Sequence, residues 1–182
     1  MPFDFQPTII PDVVIVTPKV FGDARGYFCE TYHREAFEEA GISVNFVQDN
    51  HSYSQKNVLR GLHWQAAPHT QGKLVSAING TIWDVAVDIR QNSNTYGQWV
   101  GVELSGDNKK MLWIPEGFAH GFVVLSDEVH LIYKCTDFYN PQSERSCIWN
   151  DQDLKIDWPI NFQPIISDKD SQAPLFSSII PL

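Results

Sequence analysis

The sequence predicts an all-β fold, an antiparallel β-sandwich or jelly-roll barrel with one short helix and a wrapping C-terminal extension. Short apolar or alternating segments, about ten of them, recur between turn residues as far as Phe138. An Asn79-Gly80 dipeptide joins two β-branched runs, the type I′ hairpin signature. After Asn140 the pattern decays into polar, proline-punctuated sequence with too few apolar residues for a core of its own. The chain is therefore read as one domain over 1–182, with a barrel core about 44–138 and an extension about 140–182.

In order, Val13–Val16 reads as a strand ending at Thr17-Pro18, Phe21–Gly26 as a loop, and Tyr27–Tyr32 as the next strand. Arg34–Ala40 reads as a short helix closed by Gly41. Asn45–Tyr53, Asn57–Trp64, Lys73–Ile78 and Thr81–Ile89 follow as strands. Further strands are expected at Gln98–Leu104, Lys110–Ile114, Ala119–Leu125 and Val129–Phe138, and Asp151–Pro159 has room for a helical turn.

Composition excludes several classes of function. A net charge of −9 argues against non-specific nucleic-acid binding, so an anionic substrate needs a local gathering of Arg and Lys. The three cysteines, Cys29, Cys135 and Cys147, are odd in number and show no CxxC, which fits free thiols in a reducing compartment. No signal-peptide pattern and no apolar run of roughly 20 residues is present. The expectation is a soluble, cytoplasmic protein.

Strand parity nominates the site. Leu131, Tyr133 and Cys135 share one face of their strand, and Gln48, Asn50 and Ser52 share a face with Phe46. Polar groups turned into a barrel are costly unless they bond something, which points to a polar ligand. His63 sits in a strand, where its direction is fixed. Arg60 has the opposite parity, so either Gly61 allows a bulge or Arg60 sits at the strand mouth.

Pro115-Glu-Gly117-Phe-Ala-His120 resembles the second motif of the cupin β-barrels. The counterpart of their first motif, His63-Trp64-Gln65, lacks the second histidine and the carboxylate of the metal-binding members, so no metal is expected. His63, Lys73 and Tyr133 suit proton abstraction beside a carbonyl instead. A neutral imidazole, with a pKa of about 6.5, takes the proton. A lysine stabilises the enolate, and a tyrosine on the opposite wall returns a proton to the other face.

Taken together, Phe21–Glu30, Val47–Ser52, Leu59–Gln65, Trp83–Arg90, Ile114–Phe122, Tyr133–Thr136, Ile156–Pro159 and Ser167–Asp170 resemble the dTDP-4-dehydrorhamnose 3,5-epimerase family, in order and in one frame. The resemblance implies a cupin-type double-stranded β-helix. Its implied activity is cofactor-independent epimerisation at C3 and C5 of a dTDP-4-keto-6-deoxyhexose on the path to dTDP-L-rhamnose. By motif, His63 is the base, Tyr133 the acid, Asp170 the residue orienting His63, and Lys73 the enolate partner. Arg25, Glu30, Gln48, Asn50, Arg60, His120, Glu144 and Lys169 fall on substrate-binding positions, and Phe21 and Tyr139 on positions that stack on thymine. Without the resemblance, Arg25, Glu30, Glu144 and Lys169 read as solvated loop charges. It also implies a homodimer in which Phe21, Arg25 and Glu30 serve the partner's site. The alternatives are a 3-epimerase or a ketoisomerase on a related sugar nucleotide, or a metal-binding or non-catalytic cupin.

Overall fold

The computed structural model describes residues 2–182 and places thirteen strands in two antiparallel sheets and a small ribbon. The six-stranded sheet runs β1 (Phe3–Pro7), β2 (Val14–Pro18), β10 (Met111–Ile114), β7 (Lys73–Asn79), β12 (Glu128–Cys135) and β5 (Gln48–Gln55). The five-stranded sheet runs β13 (Glu144–Ser146), β6 (Leu59–Gln65), β11 (Phe118–Val124), β8 (Thr81–Asp88) and β9 (Trp99–Ser105). The ribbon pairs β3 (Val20–Asp23) with β4 (Gly26–Cys29). The two facing sheets make the expected jelly roll.

Alternation sorts the apolar residues into three clusters. Val75, Ala77, Ile82, Ala86, Leu112, Phe118, Phe122 and Leu131 fill the space between the sheets. Leu59, Leu62, Trp64, Val85, Val87 and Val123 face outward from the five-stranded sheet, where Cys147, Leu154 and Trp158 of the C-terminal extension cover them. The extension is held by backbone as well as by burial. Ile165 donates to the Asn57 carbonyl at 2.8 Å and accepts from the Leu59 N–H at 2.9 Å. On the outer side of the six-stranded sheet, α1 (Arg34–Glu39) buries Phe37 against Phe3, Leu74, Met111 and Trp113. Gly41, at φ 86°, ends this helix as expected, with the Ile42 N–H returning to the Phe37 carbonyl at 2.8 Å. No helix among the described residues is long and apolar enough to cross a membrane.

Four local expectations are corrected. Asn79-Gly80 is not a hairpin turn, because β7 pairs with β10 and β12 while β8 pairs with β9 and β11. The chain instead steps from one sheet to the other at Gly80, whose φ of 77° suits glycine. A Cβ there would lie 2.0 Å from the Glu128 carbonyl oxygen. The corner sets Val75 and Ala77 opposite Ile82 and Ala86 in one core, a burial no flat hairpin gives. Phe21–Gly26 is not a loop but most of the β3–β4 ribbon, with Ala24 and Arg25 at its tip. Phe3–Pro7 and Glu144–Ser146 are strands at sheet edges that the pattern did not announce. Phe46 lies before β5 and packs on Trp113 and Tyr32 rather than sharing the inward face of Gln48 and Asn50.

Candidate active site

One end of the barrel opens as a cavity of about 660 Å³, within the range of small-ligand sites. The five-stranded sheet contributes Arg60, His63, Gln65 and His120, and the six-stranded sheet contributes Gln48, Asn50, Lys73, Tyr133 and Cys135. The extension adds Tyr139, Glu144, Lys169 and Asp170. Eleven residues expected from sequence thus converge here: His63, Lys73, Tyr133, Asp170, Gln48, Asn50, Arg60, His120, Tyr139, Glu144 and Lys169.

The parity conflict on β6 is resolved by a bulge. Pairing with β11 sets His63 opposite His120 and Arg60 opposite Phe122, so two residues of β6 face Gly121 alone. Leu59, Leu62 and Trp64 keep to the outer core, while Arg60 and His63 both reach the cavity. Gly61 sits in the bulge at φ 122°, and a Cβ on it would come within 2.5 Å of the Gly121 Cα. Its N–H, turned out of the ladder, donates to Asp170 Oδ2 at 3.3 Å.

Asp170 is itself placed by the extension. Ser167 caps the short helix α2 (Asp168–Ser171), accepting the Asp170 N–H at 3.1 Å, and directs a carboxylate only 2% exposed at the β6 bulge. His63 Nε2 lies 2.6 Å from Asp170 Oδ1. Burial pushes the Asp170 carboxyl up, but hydrogen bonds from His63, Gly61 and Ser167, with the His63 charge, outweigh it and hold it below the usual range. An ionised carboxylate has no proton to give, so His63 donates from Nε2 and its Nδ1 lone pair is left for the cavity.

Tyr133, on β12 across the cavity, is half-buried. Burial pushes its hydroxyl above the ordinary tyrosine value, Cys135 adds to this and Arg60 opposes it, so the phenol holds its proton at neutral pH. Lys73 pairs across to Cys135 on β12. Burial pulls its ammonium below the ordinary lysine value, against the charges of Cys135 and Asp84. At the mouth, Tyr139 donates from its hydroxyl to Glu144 Oε2 at 3.0 Å, and Lys169 reaches Glu144 Oε1 at 2.6 Å. Burial raises the Glu144 carboxyl, but these two partners prevail and keep it low. Gln48 bonds Asn50 and accepts the Tyr139 N–H, and Arg60 Nε donates to Ser54 Oγ at 3.0 Å.

Phe21, Arg25 and Glu30 do not join the cavity of their own chain. Phe21 is 51% exposed on β3, and Arg25 is engaged with Asp23 at the ribbon tip. Two contributors were missed in the sequence. Asp84, with no exposed surface, accepts from His120 Nε2 at 2.7 Å. A carboxylate inside the run Ile82-Trp-Asp-Val-Ala-Val87 was the available sign. Gln65 bonds the His69 and Phe138 carbonyls and the Asn140 N–H, and so fixes the segment carrying Tyr139.

A jelly-roll barrel with a carboxylate-backed histidine at its mouth belongs to the cupin class of small β-barrels. Residues 7–178 match the sequence model of dTDP-4-dehydrorhamnose 3,5-epimerase. The chain is 57% identical over 174 residues to the enzyme of that name from Salmonella typhimurium, covering 95% of each protein. It superposes on dTDP-6-deoxy-D-glucose-3,5-epimerase from Legionella pneumophila, in complex with dTDP-4-keto-L-rhamnose, with a TM-score of 0.95 at 52% identity, over 98% of this chain and 95% of that one. A 3′-monoepimerase from Streptomyces bikiniensis, in complex with dTDP-quinovose, gives a TM-score of 0.89 at 31% identity, over 94% and 87%. The chain belongs to the dTDP-4-dehydrorhamnose 3,5-epimerase family, and its class of reaction is isomerisation.

Proposed function

We propose that this chain, acting as one domain in the cytoplasm and without a cofactor, epimerises C3 and C5 of dTDP-4-dehydro-6-deoxy-D-glucose to give dTDP-4-dehydro-L-rhamnose. The observation that carries the reading is that His63, backed by Asp170, and Tyr133 line one cavity from its two opposed sheets.

The 4-keto group acidifies the hydrogens on its two neighbouring carbons. His63 Nδ1 accepts one of them, and the C–H electron pair moves to the keto oxygen as an enolate. The Lys73 ammonium faces that oxygen and stabilises its charge. Tyr133 then gives its hydroxyl proton to the same carbon from the other side, inverting it. The proton on His63 leaves to solvent and Tyr133 regains one, so no net redox change or group transfer occurs. Arg60 and Lys169 offer positive charge to the pyrophosphate, and Tyr139 offers a ring to the thymine.

A 3-epimerase or a ketoisomerase would use the same pair of residues. The 3,5-epimerases at 57% and 52% identity, against 31% for the monoepimerase, favour two inversions. A metal-binding cupin is disfavoured because no group of three or more His, Cys, Asp or Glu among the described residues is placed to hold a metal ion. The reading extends to a homodimer whose β3–β4 ribbon brings Phe21, Arg25 and Glu30 to the partner's cavity. Incubation with dTDP-4-keto-6-deoxyglucose in D₂O tests the chemistry. Deuterium at C3 and C5 is expected, label at C3 alone selects the 3-epimerase, and no label refutes the reading.

A further inference from the structure

Asp84 takes no part in the proton transfers above, yet it is a carboxylate with no exposed surface in the middle of β8. It shares the inward face of Ile82 and Ala86, behind His120 on the neighbouring strand β11. Its Oδ1 accepts from His120 Nε2 at 2.7 Å, and its Oδ2 has no hydrogen-bond partner among the described residues. A buried carboxylate with one idle oxygen is costly, and such a group persists where it serves a neighbouring charge. His63 and His120 pair directly across β6 and β11. Each is anchored through Nε2 to a buried carboxylate, so the site holds two histidine–aspartate dyads side by side.

We propose that Asp84 is a positioning residue for the epimerisation: Oδ1 fixes His120 with Nε2 protonated and its Nδ1 lone pair toward a hydroxyl of the sugar, and the unpaired Oδ2 sets a negative charge behind the Lys73 ammonium that faces the keto oxygen. The inference rests on the epimerase reading. The two dyads then divide the work. Asp170 serves the histidine that takes the proton, and Asp84 serves the ammonium that receives the developing oxyanion, with His120 beside it accepting from the sugar. The titratable groups around Lys73 are Cys135 and Tyr133 on β12, Asp84 on β8, His120 on β11 and His63 on β6 with Asp170 behind it. Burial acts to discharge Lys73, and Cys135 and then Asp84 oppose it, Asp84 as a buried carboxylate not already committed to the base.

Asp84→Asn keeps the shape and removes the charge. Its kcat is expected to fall about tenfold to a hundredfold with KM changed little. The alkaline limb of its pH–rate profile should move to lower pH, because Lys73 then loses its proton sooner. A folded Asp84→Asn protein with the wild-type alkaline limb would overturn the proposal. Wild-type protein that incorporates no deuterium would instead refute the epimerase reading, so the two failures are distinct. Should the variant not fold, long-range ¹H–¹⁵N spectra of the native protein remain, with His120 assigned by the signals missing from His120→Gln. A protonated Nε2 is expected, and a lone pair on Nε2 overturns the proposal.

Discussion

His63 and Asp170 stand 2.6 Å apart although the chain separates them by more than half its length. The remaining oxygen of Asp170 accepts the Gly61 N–H from the bulge that turns His63 inward. One carboxylate therefore holds both the imidazole and the strand that presents it. Asp170→Asn should leave substrate binding nearly intact while lowering kcat by about 10³ to 10⁴, since an amide does not enforce the Nε2–H tautomer. Steady-state kinetics decide this, and a loss confined to KM would show that the dyad is not the base.

Tyr133 holds its proton because burial raises it. Tyr133→Phe should still exchange the C3 hydrogen with solvent deuterium through His63, while the inverted product falls by about 10² or more. NMR of the product in D₂O separates exchange from inversion. Equal loss of both, or of neither, would assign the returning proton to another group.

Gly61 carries a steric requirement as well as a hydrogen bond. At φ 122°, and with the Gly121 Cα 2.5 Å from any added Cβ, Gly61→Ala should cost about 2 to 4 kcal/mol. Activity should drop further than stability, because Arg60, His63 and Asp170 all take their positions from this bulge. A thermal melt and a turnover assay on the same sample test both parts.

How much of this could be read in the residues follows from how local each feature is. The inward face of Leu131, Tyr133 and Cys135 needs only alternation, and it was legible. Arg60 was not placed, because a bulge is created by the partner strand, here at Gly121. Asn79-Gly80 announces a bend but not which sheet the next strand joins, and burial of Val75 and Ala77 against Ile82 decided that. Asp84 went unassigned because its meaning lies in His120, 36 positions further on. Asp170 was linked to His63 only through the family resemblance. The physical link, Ile165 bonded to Asn57 and Leu59, joins distant segments that no local pattern connects.

A further buried carboxylate, Asp88, ends β8. Burial raises it, but Arg90, Ser93 and Thr95 bond it and hold it at about 2, while Arg90 also reaches Asp12 at 2.8 Å. Its folded value lies below its unfolded one, so its stabilisation is complete above the ordinary carboxylate range and is lost as pH falls from about 4 toward 2. Asp88→Asn should therefore be less stable than wild type by about 2 kcal/mol at neutral pH. The gap should close as the pH is lowered through that window. Denaturant unfolding at several pH values checks it, and a gap independent of pH would assign the loss to packing alone.

The β3–β4 ribbon leaves Val20, Phe21, Tyr27 and Phe28 between 44% and 64% exposed, more apolar surface than a two-stranded ribbon ordinarily leaves to water. β5, which carries Gln48 and Asn50 into the cavity, ends the six-stranded sheet with an unpaired edge. If the ribbon of one copy serves the cavity of another, Arg25→Ala and His63→Ala damage different subunits' contributions to one site. Each variant alone should be nearly inactive. When the two are unfolded together and refolded, mixed dimers carry one cavity with an intact His63 and an intact Arg25. Random pairing then restores about a quarter of the wild-type rate. Refolding each variant alone must restore nothing. Failure of the mixture to recover, with dimers present by light scattering, would place Arg25 in the service of its own chain.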